Sequence, residues 1–236
     1  MSIVENVAHV RERIAAAAAR VRRRPEEITL MAVSKTVEPE RIRLAYQAGL
    51  RVFGENRVQE FAEKCDALRD MQATEWRLIG HLQSNKAKKA VELFQAIDSV
   101  DSLRLAEKLD HAARAMGKIL PALVEIKVGE EESKAGIPLD SPELEDLLQA
   151  APRLEHLQVR GLMTVPPYTE NPEGARDYFR CLRDLRDQIA ARKLPRISMD
   201  VLSMGMSHDF EVAIEEGSTC VRVGTAIFGA RPKPPA

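Results

Sequence analysis

No stretch of the chain approaches the roughly 20 consecutive apolar residues that a bilayer-spanning helix needs, so a membrane-spanning class is excluded. The opening residues, MSIVENVAHVRER, lack a basic segment followed by an apolar core, and no signal peptide is read there. Cysteine is scarce: Cys65, Cys181 and Cys220 lie far apart, with no CxxC pair and no Cys/His cluster. That excludes a disulfide scaffold and a zinc module, leaves no expected metal site, and points to reduced thiols in the cytoplasm. An excess of one charge is missing as well, since 35 Lys+Arg against 36 Asp+Glu leave a net charge of −1. A protein held to nucleic acid by bulk charge is thereby excluded. No linker, low-complexity tract or internal repeat divides the chain.

What is present suits a packed α/β domain. The 236 residues are 44% hydrophobic, enough for a core. Ile3, Val7, Val10, Ile14, Ala17 and Val21 recur at steps of four and three, one stripe of an amphipathic helix that Arg22, Arg23, Arg24 and Pro25 end. Short apolar runs then alternate with helical patterns. Strands are expected at 28–35, 51–54, 76–80, 94–100, 122–128, 159–165, 201–203 and 220–223, with helices between nearly all of them. Ser141-Pro142-Glu143 and Asn171-Pro172 read as helix starts. Eight strands separated by helices indicate a parallel α/β architecture, and the length suits a closed (β/α)8 TIM barrel with an extra N-terminal helix. A doubly wound open sheet is the alternative, but GxGxxG follows none of the strands. Residues 1–230 read as one barrel domain and 231–236 as a loose proline-rich tail.

In such a barrel, function gathers on the loops after the strands. Those ends carry Lys35, Glu55-Asn56, His81, Met163-Thr164, Ser203 to Ser207 and Gly224-Thr225, with Lys134 in the loop after the fifth strand. The last two loops supply glycines and hydroxyls at the two strands where barrels often place a phosphate. Lys35 ends an apolar strand, where lost hydration would free its amine for condensation with a carbonyl. A phosphate site across the same mouth would suit an aldehyde that carries a phosphate. Arg222 alternates with Val221 and Val223, and if those valines face the helices it points into the barrel mouth. There it needs either an anion or an internal partner such as Glu125 or Asp200. Asn56 and His81 could contact a ring or cap the next helices. Met204 and Met206 read as packing residues, and His208 receives no role.

The stretches AVSKT (32–36), FGENRVQE (53–60), IGHLQSNK (79–86), SKAG (133–136), GLMT (161–164), LSMGMSHDFEVAIEEGST (202–219) and VRVGTAIFG (221–229) resemble the YggS/PROSC family of pyridoxal phosphate homeostasis proteins. The resemblance spans essentially the whole chain, in order. It implies a single barrel of PLP fold type III, similar to the N-terminal domain of alanine racemase. It also implies the cofactor pyridoxal 5′-phosphate (PLP), held as a Schiff base on Lys35. Ser203, Gly205, Gly224 and Thr225 would contact the phosphate, and Arg222 would face the pyridine nitrogen. Asn56, His81, Met163 and Met204 fall in matching motifs as ring or pocket neighbours.

Two functions of different class follow. One is a non-catalytic protein that stores, buffers or delivers PLP to apo-enzymes, expected as a cytoplasmic monomer without nucleic-acid or membrane partners. The other is a small PLP-dependent racemase or decarboxylase. A Schiff-base aldolase using Lys35 without a cofactor is a third. With the chain ending just after the eighth strand, no second domain is expected to supply a catalytic tyrosine or cover the cofactor, and binding is the preferred reading.

Overall fold

The computed structural model describes residues 2–129 and 135–230. Ser133, Lys134 and the 231–236 tail, all named above, lie outside them.

Helix α1 (Ile3–Arg20) buries the stripe read from its spacing, from Ile3 through Ala17. Ser2 caps it reciprocally: its hydroxyl accepts from the Glu5 amide, and the Glu5 carboxylate accepts from the Ser2 amide, an arrangement worth about 1 kcal/mol. Arg23 of the basic run is half-buried. It donates to the carbonyls of Ile214 and Ser218 and so ties the end of α1 to the barrel wall.

Nine strands follow: β1 (Thr29–Val33), β2 (Val52–Glu55), β3 (Glu75–Leu78), β4 (Ala96–Val100), β5 (Leu120–Lys127), β6 (Ile137–Pro138), β7 (Leu157–Met163), β8 (Ile197–Met206) and β9 (Cys220–Val223). All pairings are parallel; β1 pairs with both β2 and β9, and β4 pairs with β5, so eight strands close on themselves. The open-sheet alternative is thereby excluded. The ninth, β6, is a two-residue strand added to the end of β5, too short to leave a pattern in sequence. Helices α2 (Pro39–Gln47), α3 (Val58–Lys64), α4 (Ala87–Leu93), α5 (Leu103–Ala115), α6 (Pro142–Ala150), α7 (Arg176–Ala191) and α8 (Phe210–Glu215) cover the outside, and a short α9 (Thr225–Phe228) follows β9. Ser102 and Ser141 cap α5 and α6. Asn171 caps a 3-10 turn, Pro172–Ala175, that precedes α7.

The main core lies between strands and helices. There Phe53 stacks on Trp76 at 4.9 Å, and Phe61 of α3 lies against both Trp76 and Phe94. Such ring pairs contribute about 0.5–1.5 kcal/mol each beyond their burial. Inside the ring the chemistry is different. Met31, Met163 and Cys220 share it with buried charges: Arg222, Asp98 and Glu125. Among the described residues no helix is long and apolar enough to cross a membrane.

Candidate functional site

A cavity of about 330 Å³ opens at the C-terminal ends of the strands, within the range that holds small ligands. Five of the ten expected site residues line it: Lys35, Asn56, Arg222, Gly224 and Thr225. Val33, Ile79, Val165 and Met206 supply apolar wall, and Ser207 and His208 complete it.

Lys35 follows β1 and shares with Val33 the strand's alternation toward the mouth. Its neighbours are held from both sides. The Ser34 hydroxyl donates to Glu55 at 2.5 Å, while the Ser34 carbonyl accepts from Lys64 at 2.9 Å. Lys64 also pairs with Glu55 at 2.8 Å, both side chains nearly inaccessible to water. Burial pushes the Glu55 carboxyl above its ordinary range despite that lysine. Thr36, in the left-handed region at φ 59°, donates its amide to Glu60. The backbone that presents the Lys35 amine is thus clamped by α3.

Arg222 is 3% exposed and rises from β9 into the ring. Of the two fates open to it, an anion or an internal carboxylate partner, the protein contacts settle the inner half. Nη1 donates to the Ser203 hydroxyl at 2.7 Å and Nη2 to the Thr164 carbonyl at 2.6 Å. Asp200 instead pairs with Arg160 on the surface. Glu125 faces Arg222 as a charge without a direct bond. Burial lifts its carboxyl to about 7, and Arg222 offsets this only in part. Asp98 is likewise raised by burial, against Arg77 and Arg222.

The corner opposite Lys35 joins the loops after β8 and β9. The Ser207 hydroxyl accepts from the amides of Gly224 and Ala226 at 3.2 and 3.3 Å, which leaves its own proton to donate. Gly224 has φ −111°, outside the left-handed region. A Cβ there would meet only ordinary contacts with Val33, at 3.4 Å and beyond. The backbone does not require this glycine, which lies in the cavity wall.

The other five expected residues stand elsewhere. Ser203 is buried beneath Arg222 and orients it. Met204, its neighbour in β8, belongs to the core between sheet and helices. Gly205 has φ 93°, and a Cβ would meet Ala213 at 2.5 Å and Phe210 at 3.0 Å, so it lets α8 approach β8. Met163 is buried within the ring, in register with Glu125 and Ser203. His81 is largely exposed and bonds Asp101 at 2.8 Å, outside the cavity. The structure brings none of these five to the cavity wall. In their place stand Ser207 and His208. The His208 imidazole bonds the carbonyls of Thr169 and Glu170 and lies against the exposed ring of Tyr168. Ser207 was legible as a hydroxyl in the right loop; His208 carried no signal in sequence. No cluster of three or more metal-ligating side chains forms among the described residues.

A parallel barrel closed by eight strands, with a lysine after β1 and a glycine-hydroxyl corner after β8 and β9, places the chain in a known class. The alanine racemase N-terminal domain model matches residues 6–232, and the chain belongs to that family. Within it, the chain is 46% identical over 231 residues to the pyridoxal phosphate homeostasis protein of Aquifex aeolicus, covering 98% of this chain and 99% of that one. Its Escherichia coli K12 counterpart is 44% identical, covering 97% of each. This chain is therefore a member of the pyridoxal phosphate homeostasis protein family. Among solved structures it is similar to PipY of Synechococcus elongatus with PLP bound, at 40% identity and TM-score 0.80, covering 92% of this chain and all of that one. The alanine racemase of Streptomyces coelicolor shares the fold alone: 20% identity, TM-score 0.71, 95% of this chain against 59% of that one.

Proposed function

We propose that this protein binds pyridoxal 5′-phosphate in the mouth cavity and serves its homeostasis by storing, buffering or delivering it. The observation that carries the reading is the meeting, in one small cavity, of an amine, a guanidinium and a glycine-hydroxyl corner. The residues fit the cofactor's groups. Gly224, Thr225 and Ser207 offer close approach and hydroxyl donors to a phosphate. The buried Oδ1 of Asn56 has no hydrogen-bond partner among the described residues and could accept from a ligand donor. The PLP aldehyde supplies a carbon that can condense with an amine, and Lys35 is the amine that lines this cavity. Arg222, which can only donate, suits an unprotonated ring nitrogen. Ser203 and Thr164 hold Arg222 in place, and Gly205 lets α8 seat the loop that carries Ser207. In this proposal Met163, Met204 and His81 shape the surroundings without touching the cofactor.

The same proposal makes the protein a holder of cofactor rather than a catalyst. Tyr46, Tyr168 and Tyr178 do not line the cavity. His208 is engaged with backbone carbonyls, so among the described residues no second acid or base is set across from Lys35. A cytoplasmic monomer that hands PLP to apo-enzymes is consistent with three free thiols among the described residues.

The test is an absorption spectrum of the purified protein before and after borohydride reduction, with peptide mapping. The expected result is a bound-PLP band that changes on reduction and a label on Lys35. A protein that gains no band on incubation with PLP would overturn the reading and favour the cofactor-free aldolase. Incubation with L-alanine, L-serine, L-lysine and L-ornithine should give neither racemised product nor carbon dioxide. Multiple turnovers that vanish in Lys35→Ala would establish the racemase or decarboxylase instead.

A further inference from the structure

On the outer wall of the barrel, α4 and α5 enclose a groove of about 670 Å³ with an apolar floor that includes Ala112 and Met116. Lys88, Arg104, Lys108 and His111 line it, and no carboxylate does. Arg104, Lys108 and His111 recur at i, i+4 and i+7, one face of α5. None of these four side chains has an ion pair or hydrogen bond among the described residues.

Many basic side chains of this protein are paired. Arg176 pairs with Glu173, Glu215 and Glu216, Arg192 with Glu145, and Arg13 with Glu211. Even Lys89, next to Lys88, pairs with Glu92. Like charges stacked along one helix face repel. A row left without counter-charges over an apolar floor is complementary to a ligand that brings both acid and apolar surface.

The lining also identifies the class of ligand. Its basic side chains are exposed, and none is a buried donor of the kind that strips water from a small phosphate. An apolar trough flanked by cations between two helices matches instead an amphipathic helix with acidic flanks. Such a surface steers an acidic partner and sets its orientation.

A short loop links the groove to the mouth. It begins at Ser84 and Asn85, five residues beyond Ile79 of the cavity wall. The intervening loop is firmly seated. Gly80 packs against the Asn56 backbone with no room for a Cβ, its carbonyl accepts from the Ser99 hydroxyl at 2.8 Å, and His81 bonds Asp101. A protein seated on α4 and α5 would therefore be joined to the cavity wall at Ile79 through a loop that is itself fixed against Asn56.

We propose that the α4–α5 groove is the docking site for an acidic helical segment of the apo-enzyme that receives the cofactor. The proposal rests on the reading that the mouth cavity holds PLP.

The test uses the full-length protein, the Lys88→Glu/Arg104→Glu/Lys108→Glu variant, a milder Lys88→Gln/Arg104→Gln/Lys108→Gln variant, and Arg22→Glu as a control beyond the far end of α1. Binding to a panel of three cofactor-stripped PLP-dependent enzymes is measured by interferometry. PLP uptake by each variant is followed separately by absorbance. The expected result is that at least one recipient binds the parent and the control equally. The glutamate variant should bind it at least about tenfold more weakly, the glutamine variant should fall between, and all should take up PLP alike. Parental binding should weaken in about 0.5 M salt, where the Debye length falls to a few Å. Recipients that bind the glutamate variant as they bind the parent, or bind neither, would overturn the docking site. So would a groove that takes inorganic pyrophosphate but no recipient. A parent that binds recipients but takes up no PLP would leave the groove standing and refute the cavity reading.

Discussion

Replacing Gly205 and Gly224 by alanine, one at a time, should separate a glycine the fold needs from one the ligand needs. At Gly205 the φ of 93° is left-handed, and the new methyl would meet Ala213 and Phe210 at 2.5 and 3.0 Å. The conformation costs about 1–2 kcal/mol for an L side chain, and overpacking against α8 adds about 1–3 kcal/mol. The two together amount to about 2–5 kcal/mol, a fall in Tm of about 5–15 °C for a chain of this size. At Gly224 the nearest atoms stand at 3.4 Å or more and φ is −111°. The cost to folding should stay below about 1 kcal/mol, as for a compatible Gly→Ala change. The methyl would nevertheless sit in the cavity wall, where close backbone approach of a phosphate is proposed. Thermal melts followed by circular dichroism, with PLP titrations by absorbance, provide the assay. Gly205→Ala should melt early, whereas Gly224→Ala should melt near the parent but bind PLP at least about tenfold more weakly, a loss of about 1.4 kcal/mol. Parental PLP affinity in Gly224→Ala would remove the β9 loop from the phosphate site, and a parental Tm in Gly205→Ala would refute the packing argument.

Lys35→Ala should lose the borohydride-fixed label yet keep weaker PLP binding, because the Gly224 corner and Arg222 do not depend on the amine; an undiminished label on another lysine would refute the assignment. Glu125, raised by burial from 4.5 to about 7, holds its proton more tightly folded than unfolded. Stability should therefore fall as pH rises from about 4.5 to about 7, by about 3 kcal/mol at 1.36 kcal/mol per unit. Glu125→Gln should gain on the parent across that window, and a stability difference independent of pH would sink the argument. Arg222→Met should cost about 1–3 kcal/mol by leaving the Thr164 carbonyl without its buried donor, while Asp98 keeps Arg77, as read by urea unfolding. Cys220, buried and with its thiol pushed up to about 11, should resist iodoacetamide in the native protein while exposed Cys181 is alkylated; equal labelling would contradict the packing.

Much of this protein was readable in one dimension. The α1 stripe, the alternation of strands and helices and the caps at Ser141 and Asn171 are local patterns, set by residues a few positions apart. The strand C-terminal ends brought Lys35, Asn56, Gly224 and Thr225 into view together with residues that stand elsewhere, and alternation along the last strand turned Arg222 inward. What lay beyond reach was decided by contacts between distant strands. The register of β8 against β9 shifts between Ser203 and Met206, so alternation along that strand does not say which residues reach the cavity. That irregularity, with Gly205 at a left-handed φ within β8, sets Ser203 beneath Arg222, Met204 toward the helices and Ser207 at the wall. The Glu55–Lys64 clamp on Ser34 joins residues 21 and 30 positions from it, and Arg222 reaches Thr164 across 58. Periodicity encodes which face of an element is apolar, whereas barrel closure decides which polar groups meet once water has been removed from between them.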